Sequence, residues 1–343
     1  VKSSYLSVNN KIHMLSEPLL KWYDTNARVL PWRAPPGEEP NPYYVLLSEF
    51  MLQQTTVQTV TPYFQVFVER WPTLGAFACA SEEEVLTHWQ GLGYYARARN
   101  LLKAAKAISA LDHWPRDITA LQQLPGIGPY TARAIASIAF NQPFLPVDGN
   151  FIRLLGRVWG MEGTKDSVKK TLQQQLDSAA YDERPGDLAQ AIMDFANTLC
   201  RPQNPQCNLC PLYGQCQGRE PLWRERVEKN RTPKRTVPTR FAVARLTVND
   251  AGAIWLTRNT TQRLLKGLLM PPLHYVSVEA FDPLEAPTVS HTFSHFRLQV
   301  KVVAGGGHSP STTTEAIWVP LGAIQKYPLS TLAKKILKAG SVL

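Results

Sequence analysis

A chain of 343 residues, 44% of them hydrophobic, is long enough for two domains with separate cores and too apolar for a disordered segment. Its 37 Lys and Arg against 27 Asp and Glu leave a formal net charge of +10, which favours a polyanionic partner, nucleic acid first. No leader-like segment and no apolar stretch of bilayer length is read in it, so the expectation is no membrane partner and a cytoplasmic, nucleoid-associated location.

Taken in chain order, apolar residues at helical spacing predict helices over 43–53, 56–68, 81–89, 97–110, 131–140 and 167–179, separated by Gly and Pro. Residues 218–240 break the pattern with eight Lys and Arg, three Glu and three Pro, and read as a linker. Beyond it the period falls to two, and strands are expected over 241–248, 253–257, 296–303 and 316–319. Phe296, Leu298, Val300 and Val302 would share one face, with Arg297, Gln299 and Lys301 on the other. A last helix capped by Ser330 or Thr331 should run through Ile336. The fold class expected is a mainly α domain over 1–217, a linker over 218–240, and a smaller α+β domain over 241–343.

Four of the five cysteines, Cys200, Cys207, Cys210 and Cys216, fall within seventeen residues as C-x6-C-x2-C-x5-C. Four soft thiolates suit an iron-sulfur cluster or a structural zinc, and local disulfides would require an oxidising compartment. The fifth, Cys79, sits in an apolar run and reads as a small core residue. Leu124-Pro125-Gly126-Ile127-Gly128 is a glycine turn opening a helix, where a close backbone and exposed amides could grip a phosphate. Glu49 lies in the apolar stretch Leu46-Leu47-Ser48-Glu49-Phe50-Met51-Leu52, which should desolvate the acid and raise its pKa. A solvated helix face is the competing reading. Asp148, in Pro146-Val147-Asp148-Gly149-Asn150, precedes a helix starting near Phe151 whose amides should keep it ionised; a plain helix cap is its competing reading. A neutral acid paired with an anion is what cleavage at an anomeric carbon requires.

Together, the glycine hairpin, the downstream aspartate and the four-cysteine cluster resemble the helix-hairpin-helix DNA glycosylases of the endonuclease III superfamily. Within it, Ser48-Glu49-Phe50-Met51-Leu52-Gln53-Gln54-Thr55, Gly91-Leu92-Gly93-Tyr94-Tyr95-Ala96-Arg97 and Val147-Asp148-Gly149-Asn150 are similar to the MutY-type adenine DNA glycosylases. The resemblance spans nearly the whole chain. It implies excision of adenine opposite 8-oxoguanine, and less well opposite guanine, with a [4Fe-4S] cluster on Cys200, Cys207, Cys210 and Cys216. It gives Glu49 the protonation of adenine N7 and Asp148 the stabilisation of the oxocarbenium ion, with Tyr130 and Asn150 organising the pair. Arg28, Trp32, Leu52 and Gln190 would hold the flipped adenine. Gln54 and Tyr94 would enter the base stack, with Thr55, Gly126 and Gly128 also at the DNA. The C-terminal domain resembles a Nudix-like recognition domain lacking the glutamate-rich metal helix of a pyrophosphohydrolase. In His291-Thr292-Phe293-Ser294-His295-Phe296, Ser294 and His295 would inspect 8-oxoguanine, whose N7-H and O8 suit a hydroxyl that both donates and accepts.

Tyr130 stands where bifunctional relatives carry a lysine. A phenol forms no imine, so base release without strand cleavage is expected. The rival readings are a lyase of the endonuclease III type acting on oxidised pyrimidines, and a non-catalytic DNA-binding or electron-transfer protein. The protein is expected to act as a monomer on double-stranded DNA, with a sliding-clamp contact near Trp223 as a further possibility.

Overall fold

The computed structural model describes residues 8–179, 181, 184–220, 237–258, 265–282, 286–305 and 315–342. Its helical part comprises α1 (Val8–Asn26), α2 (Pro42–Leu52), α3 (Val57–Arg70), α4 (Leu74–Ala78), α5 (Glu82–His88), α6 (Ala96–Ser109), α7 (Ile118–Gln122), α8 (Pro129–Phe140), α9 (Gly149–Val158), α10 (Lys165–Asp177) and α11 (Pro185–Thr198). Short 3-10 turns at Cys207–Leu209, Tyr213–Gln215 and Gln217–Arg219 follow. The strands are β1 (Thr239–Leu246), β2 (Ala253–Arg258), β3 (Leu269–Met270), β4 (Leu273–Val276), β5 (Thr288–Thr292), β6 (Arg297–Ala304) and β7 (Glu315–Pro320). A 3-10 helix (Leu321–Lys326) and α12 (Thr331–Ala339) complete the described fold.

Local chemistry sets the helix starts. Asn41 accepts the Tyr43 N–H at 2.9 Å ahead of α2, whose first residue, Pro42, has no amide to leave unsatisfied. Ser81 and Glu84 form a reciprocal capping box at α5, and Ser330 accepts the Ala333 N–H at 2.9 Å at α12. At β6 the expected faces hold: Phe296, Leu298, Val300 and Val302 are buried, whereas Arg297 is exposed and Gln299 and Lys301 are half-buried.

Packing divides the chain into two compact units, Val1–Val68 with Lys103–Pro233, and Glu69–Leu102 with Lys234–Leu343. In the first, α1, α9, α10 and α11 surround a core of Leu15, Leu19, Phe151, Leu155, Leu172 and Phe195. In the second, a four-stranded sheet of order β4-β1-β6-β5 and a three-stranded antiparallel sheet of order β3-β2-β7 enclose Leu256, Phe296, Val300, Val319 and Ile336. β1 and β6 run parallel, pairing Thr239 with Arg297 through Leu246 with Ala304, and each has an antiparallel outer neighbour. Residues 69–102, which carry the Gly91-Leu92-Gly93-Tyr94 motif, pack in the unit that holds the strands. In sequence order this segment precedes the 218–240 linker, but it packs with the strands.

One expectation needs correction. Cys79 is exposed: it ends the single turn of α4, and its neighbours Phe77 and Ala80 take the buried places. At the edges of the expected linker the described residues join neighbouring elements. Gly218 is buried in a 3-10 turn against Arg157, where a Cβ would stand 3.0 Å from the Arg157 Cβ, and Thr239 and Arg240 already belong to β1. Trp223 and the expected clamp contact lie outside the described residues. Among the described residues no helix is long and apolar enough to cross a membrane.

Candidate active site

A cavity of about 210 Å³ in the first unit is lined by Arg28, Trp32, Glu49, Leu52, Thr55, Tyr130, Asp148, Asn150 and Gln190 among others. It brings together all eight sequence-predicted catalytic and pocket residues from five segments of the chain. α2 supplies Glu49 and Leu52, the start of α8 supplies Tyr130, the entry of α9 supplies Asp148 and Asn150, and α11 supplies Gln190.

The two carboxylates have unlike settings. Glu49 is 9% exposed, and among the described residues no hydrogen-bond donor reaches it. Burial pushes its carboxyl up to about 7; the charge of Asp148 adds to the shift and Arg33 opposes it. Asp148 caps α9, accepting the Asn150 N–H at 2.8 Å, the Phe151 N–H at 2.9 Å and the Asn150 side-chain amide at 2.8 Å. Burial still raises its carboxyl above the ordinary value, against those donors and the Arg153 charge. The expectation that helix amides alone set the state of Asp148 thus omitted its burial. Between the two acids the donors single out Asp148 as the one that holds negative charge, leaving the proton to Glu49. Tyr130 is half-buried beside both, and desolvation together with their charges lifts its phenol well above the ordinary range, so it remains a donor.

Residues not singled out in the sequence hold this cavity in shape. Asp194 in α11 is fully buried and bonded to Arg28 through its backbone N–H at 3.0 Å and Nε at 2.6 Å, and to Arg33 Nη1 at 2.6 Å. Burial would raise the Asp194 carboxyl, but the two guanidiniums hold it below the usual carboxylate range. Arg153 in α9 donates to Asn150 Oδ1 at 2.9 Å, to the Ala196 carbonyl at 2.7 Å and to the Cys200 carbonyl at 2.9 Å. Asn150 in turn holds Asp148, so two side chains, Asn150 and Arg153, link the carboxylate to the backbone of the first cysteine. The signal that could have found Asp194 is the one that found Glu49, an acid within an apolar helical run, here Leu188, Ala189, Ile192 and Phe195.

Around Leu199–Gly218, Cys200, Cys207, Cys210 and Cys216 line one cleft of about 470 Å³. Among the described residues no disulfide joins them, and no group of three or more His, Cys, Asp or Glu is drawn together tightly enough to hold a single metal ion. Arg157 Nη1 lies 3.3 Å from Cys200 Sγ and donates to the Arg201 carbonyl at 2.8 Å, fixing the loop from behind. Four sulfurs around a shared space have the donor chemistry of an iron-sulfur cluster.

The candidate DNA contacts fall at unusual backbone. Gly126 turns the hairpin at φ +79°, and Gly128 caps α8 with no side-chain bond to its first amides; both are exposed. Gln54 and Tyr94 are both exposed and both left-handed, at φ +57° and +48°. Such strain in bulky residues persists only where the surroundings enforce it. Thr55 lies beside the cavity, its hydroxyl 3.3 Å from the Gln53 carbonyl. In the second unit the β5–β6 hairpin stacks Phe293 on Phe296 with centroids 4.7 Å apart, and Arg240 lies 4.6 Å from the Phe296 centroid. Ser294 and His295 are exposed at its tip, their Oγ and Nδ1 3.3 Å apart.

Residues 47–178 match the family described as HhH-GPD superfamily base excision DNA repair protein, and residues 243–339 match the NUDIX domain family. The chain is 35% identical to the adenine DNA glycosylase of Rattus norvegicus over 93% of this chain and 76% of that protein. It is 31% identical to the adenine DNA glycosylase of Buchnera aphidicola subsp. Schizaphis graminum (strain Sg) over 84% of this chain and 86% of that one. Among solved structures it resembles a thermostable thymine-DNA glycosylase, at 26% identity and a TM-score of 0.52, over 61% of this chain and 95% of the other. With that identity sustained across most of both relatives, and with both family matches in place, the chain belongs to the adenine DNA glycosylases of base-excision repair.

Proposed function

We propose that this enzyme is a monofunctional glycosylase that hydrolyses the N-glycosidic bond of adenine opposite 8-oxoguanine, and less well opposite guanine, in double-stranded DNA. The observation that carries this reading is the unequal pair on one cavity: Glu49, pushed up to about 7 with no donor among the described residues, and Asp148 with three. An acid whose pKa lies near the working pH combines a useful protonated fraction with a useful tendency to donate. Glu49 passes its proton to adenine N7, the C1′–N9 bonding pair leaves with the base, and the sugar becomes an oxocarbenium ion. Asp148, held by Asn150, stabilises that cation or bonds to it transiently until water adds and leaves an abasic site. The phenol of Tyr130 offers a hydrogen bond between the two carboxyl groups and no amine for a Schiff base.

Adenine reaches the cavity by leaving the helix, at a cost of a few kcal/mol, which Gln54 and Tyr94 offset by entering the stack. Arg28, Trp32, Leu52 and Gln190 hold the base, and Asp194 fixes Arg28 among them. Gly126 and Gly128 present amides to a phosphate. Ser294 and His295 read the opposite base. Cys200, Cys207, Cys210 and Cys216 would hold a [4Fe-4S] cluster, which when bound cross-links the end of α11 to the turns after it. Arg153 carries the order of that segment to Asn150. One monomer suffices, because a lesion in a duplex has no two-fold axis for a dimer to match.

Single-turnover incubation with duplexes carrying A opposite 8-oxoguanine, G or T, developed with and without hot alkali, tests the proposal. Alkali-dependent scission at A in the first two duplexes alone is expected. Strand scission without alkali, through an intermediate trapped by borohydride, would overturn the monofunctional assignment.

A further inference from the structure

The loop that carries Tyr94 is bonded on one flank to strand β2 and on the other to the turn before β3. Before it, Glu83 of α5 pairs with Arg258 of β2 at 3.1 Å, and the same guanidinium donates to the Gly267 carbonyl at 3.0 Å. After it, Arg99 of α6 donates to the Lys266 carbonyl at 2.5 Å. Gly267 sits at φ +81°, and a Cβ there would stand 3.2 Å from Leu86 Cδ1, so this close approach depends on glycine. Within the loop, Gln90 Nε2 donates to the Tyr327 carbonyl at 2.7 Å, 237 residues along the chain.

The loop itself is tightly tied. Trp89 Nε1 donates to the Gly93 carbonyl at 3.1 Å, and Arg97, 8% exposed, donates to the carbonyls of Leu92 at 3.0 Å and Gly93 at 3.2 Å. The Arg97 guanidinium lies 5.5 Å from the ring centroids of both Trp89 and Tyr94. Gly91, Gly93 and Tyr94 all have positive φ, and for tyrosine that backbone is costly. Internal bonds explain how the loop curls. Bonds from its flanks and from Gln90 also tie it to β2, to the turn before β3 and to the carbonyl of Tyr327.

We propose that Gln90 is a positioning residue through which the C-terminal domain holds the Tyr94 loop in the shape that enters DNA. The domain assigned to reading the base opposite adenine thereby also sets the wedge that separates the bases. The inference rests on the reading of Tyr94 given above. Leucine at position 90 keeps the volume and removes the amide donor, so Gln90→Leu removes the bond to Tyr327.

Amide hydrogen exchange of residues 91–97 in the DNA-free protein is expected to quicken about tenfold in Gln90→Leu, with α2 and α9 unchanged. With a 2-aminopurine placed beside the A of an A:8-oxoguanine duplex, the fluorescence rise that follows unstacking should slow about tenfold. Tyr94→Ala should slow it similarly, and adding Gln90→Leu to Tyr94→Ala should slow it no further. Gln90→Asn, which keeps the amide and loses its reach, repeats the test should the leucine variant not fold. Unchanged exchange at 91–97 overturns the proposal, and so does faster exchange with unstacking at the wild-type rate. The exchange arm contains no DNA, so it decides the coupling even where the wild-type enzyme releases no adenine opposite 8-oxoguanine, an outcome that would instead sink the functional reading.

Discussion

The cavity around Glu49 and Asp148 and the β5–β6 hairpin tip contain similar polar chemistry in opposite states of completion. In the cavity, Asp148 accepts three hydrogen bonds, Arg153 spans Asn150, Ala196 and Cys200, and buried Asp194 holds two arginines. At the tip, Ser294 and His295 are exposed, their Oγ and Nδ1 3.3 Å apart, beside the packed rings of Phe293 and Phe296. The difference fits the functions proposed for the two places. Bond cleavage gains from groups already fixed and desolvated before the base arrives. Reading a base requires donors and acceptors still available for it, on a support that does not move.

The largest way to break the comparison is at its preorganised end. Glu49→Gln keeps the shape and removes the proton, so base release should fall by about 10² to 10⁴-fold while binding to an A:8-oxoguanine duplex persists. Full excision by this variant would remove the general-acid role. The same change should stabilise the fold at high pH. Because the folded carboxyl of Glu49 titrates at about 7 against an ordinary value of 4.5, the native state binds its proton more tightly than the unfolded chain. Stability present below pH ~4.5 is therefore lost as pH rises to ~7, a penalty of about 3 kcal/mol above that. Thermal melting at pH 8 should favour Glu49→Gln, and melting at pH 4 should not separate the two proteins.

The pH dependence of base release sharpens the same point. Single-turnover rates should fall up to tenfold per unit above pH ~7 as Glu49 loses its proton. Arg33 lowers the Glu49 value, while Asp148 raises it. Arg33→Gln should move the bend to higher pH, and an unmoved bend would show that the limb belongs to another group. Arg153→Gln tests the ties on the other side. It severs the bonds to Asn150, Ala196 and Cys200 together, and excision should drop about ten- to thirtyfold, by roughly 1.4 to 2 kcal/mol in the barrier. DNA affinity should change little.

How far the sequence foretold these parts depends on the range of the interactions. Capping residues and periodicity act within a few positions, and so the caps at Asp148 and Ser330 and the alternating face of β6 were legible. The elevated acid of Glu49 was legible too, because its apolar neighbours lie on the same helix. What local pattern misses is partnership across the chain: Arg28 and Arg33 meet Asp194 more than 160 positions away, and Gln90 meets Tyr327. The same limit explains the packing of residues 69–102 with the strands, which no composition shift announces. Cys79 failed for a simpler reason, since a single helical turn is too short for apolar neighbours to define which face is buried.

The smallest expected effect lies at the hairpin tip, and its direction is what matters. Ser294→Ala removes one hydroxyl from an exposed position, so folding stability should be unaffected within ~0.5 kcal/mol. If the hydroxyl reads the N7-H or O8 of 8-oxoguanine, excision opposite 8-oxoguanine should fall about fivefold, in line with the ~1 kcal/mol of one hydrogen bond. Excision opposite guanine, which offers neither group in that form, should hold its rate. The quantity to measure is the ratio of the two rates under single turnover, because a defect in the adenine cavity lowers both together. A fall in both rates with the ratio preserved would place Ser294 among the general supports of DNA binding, and the contrast between a completed cavity and an open reading tip would lose its functional meaning.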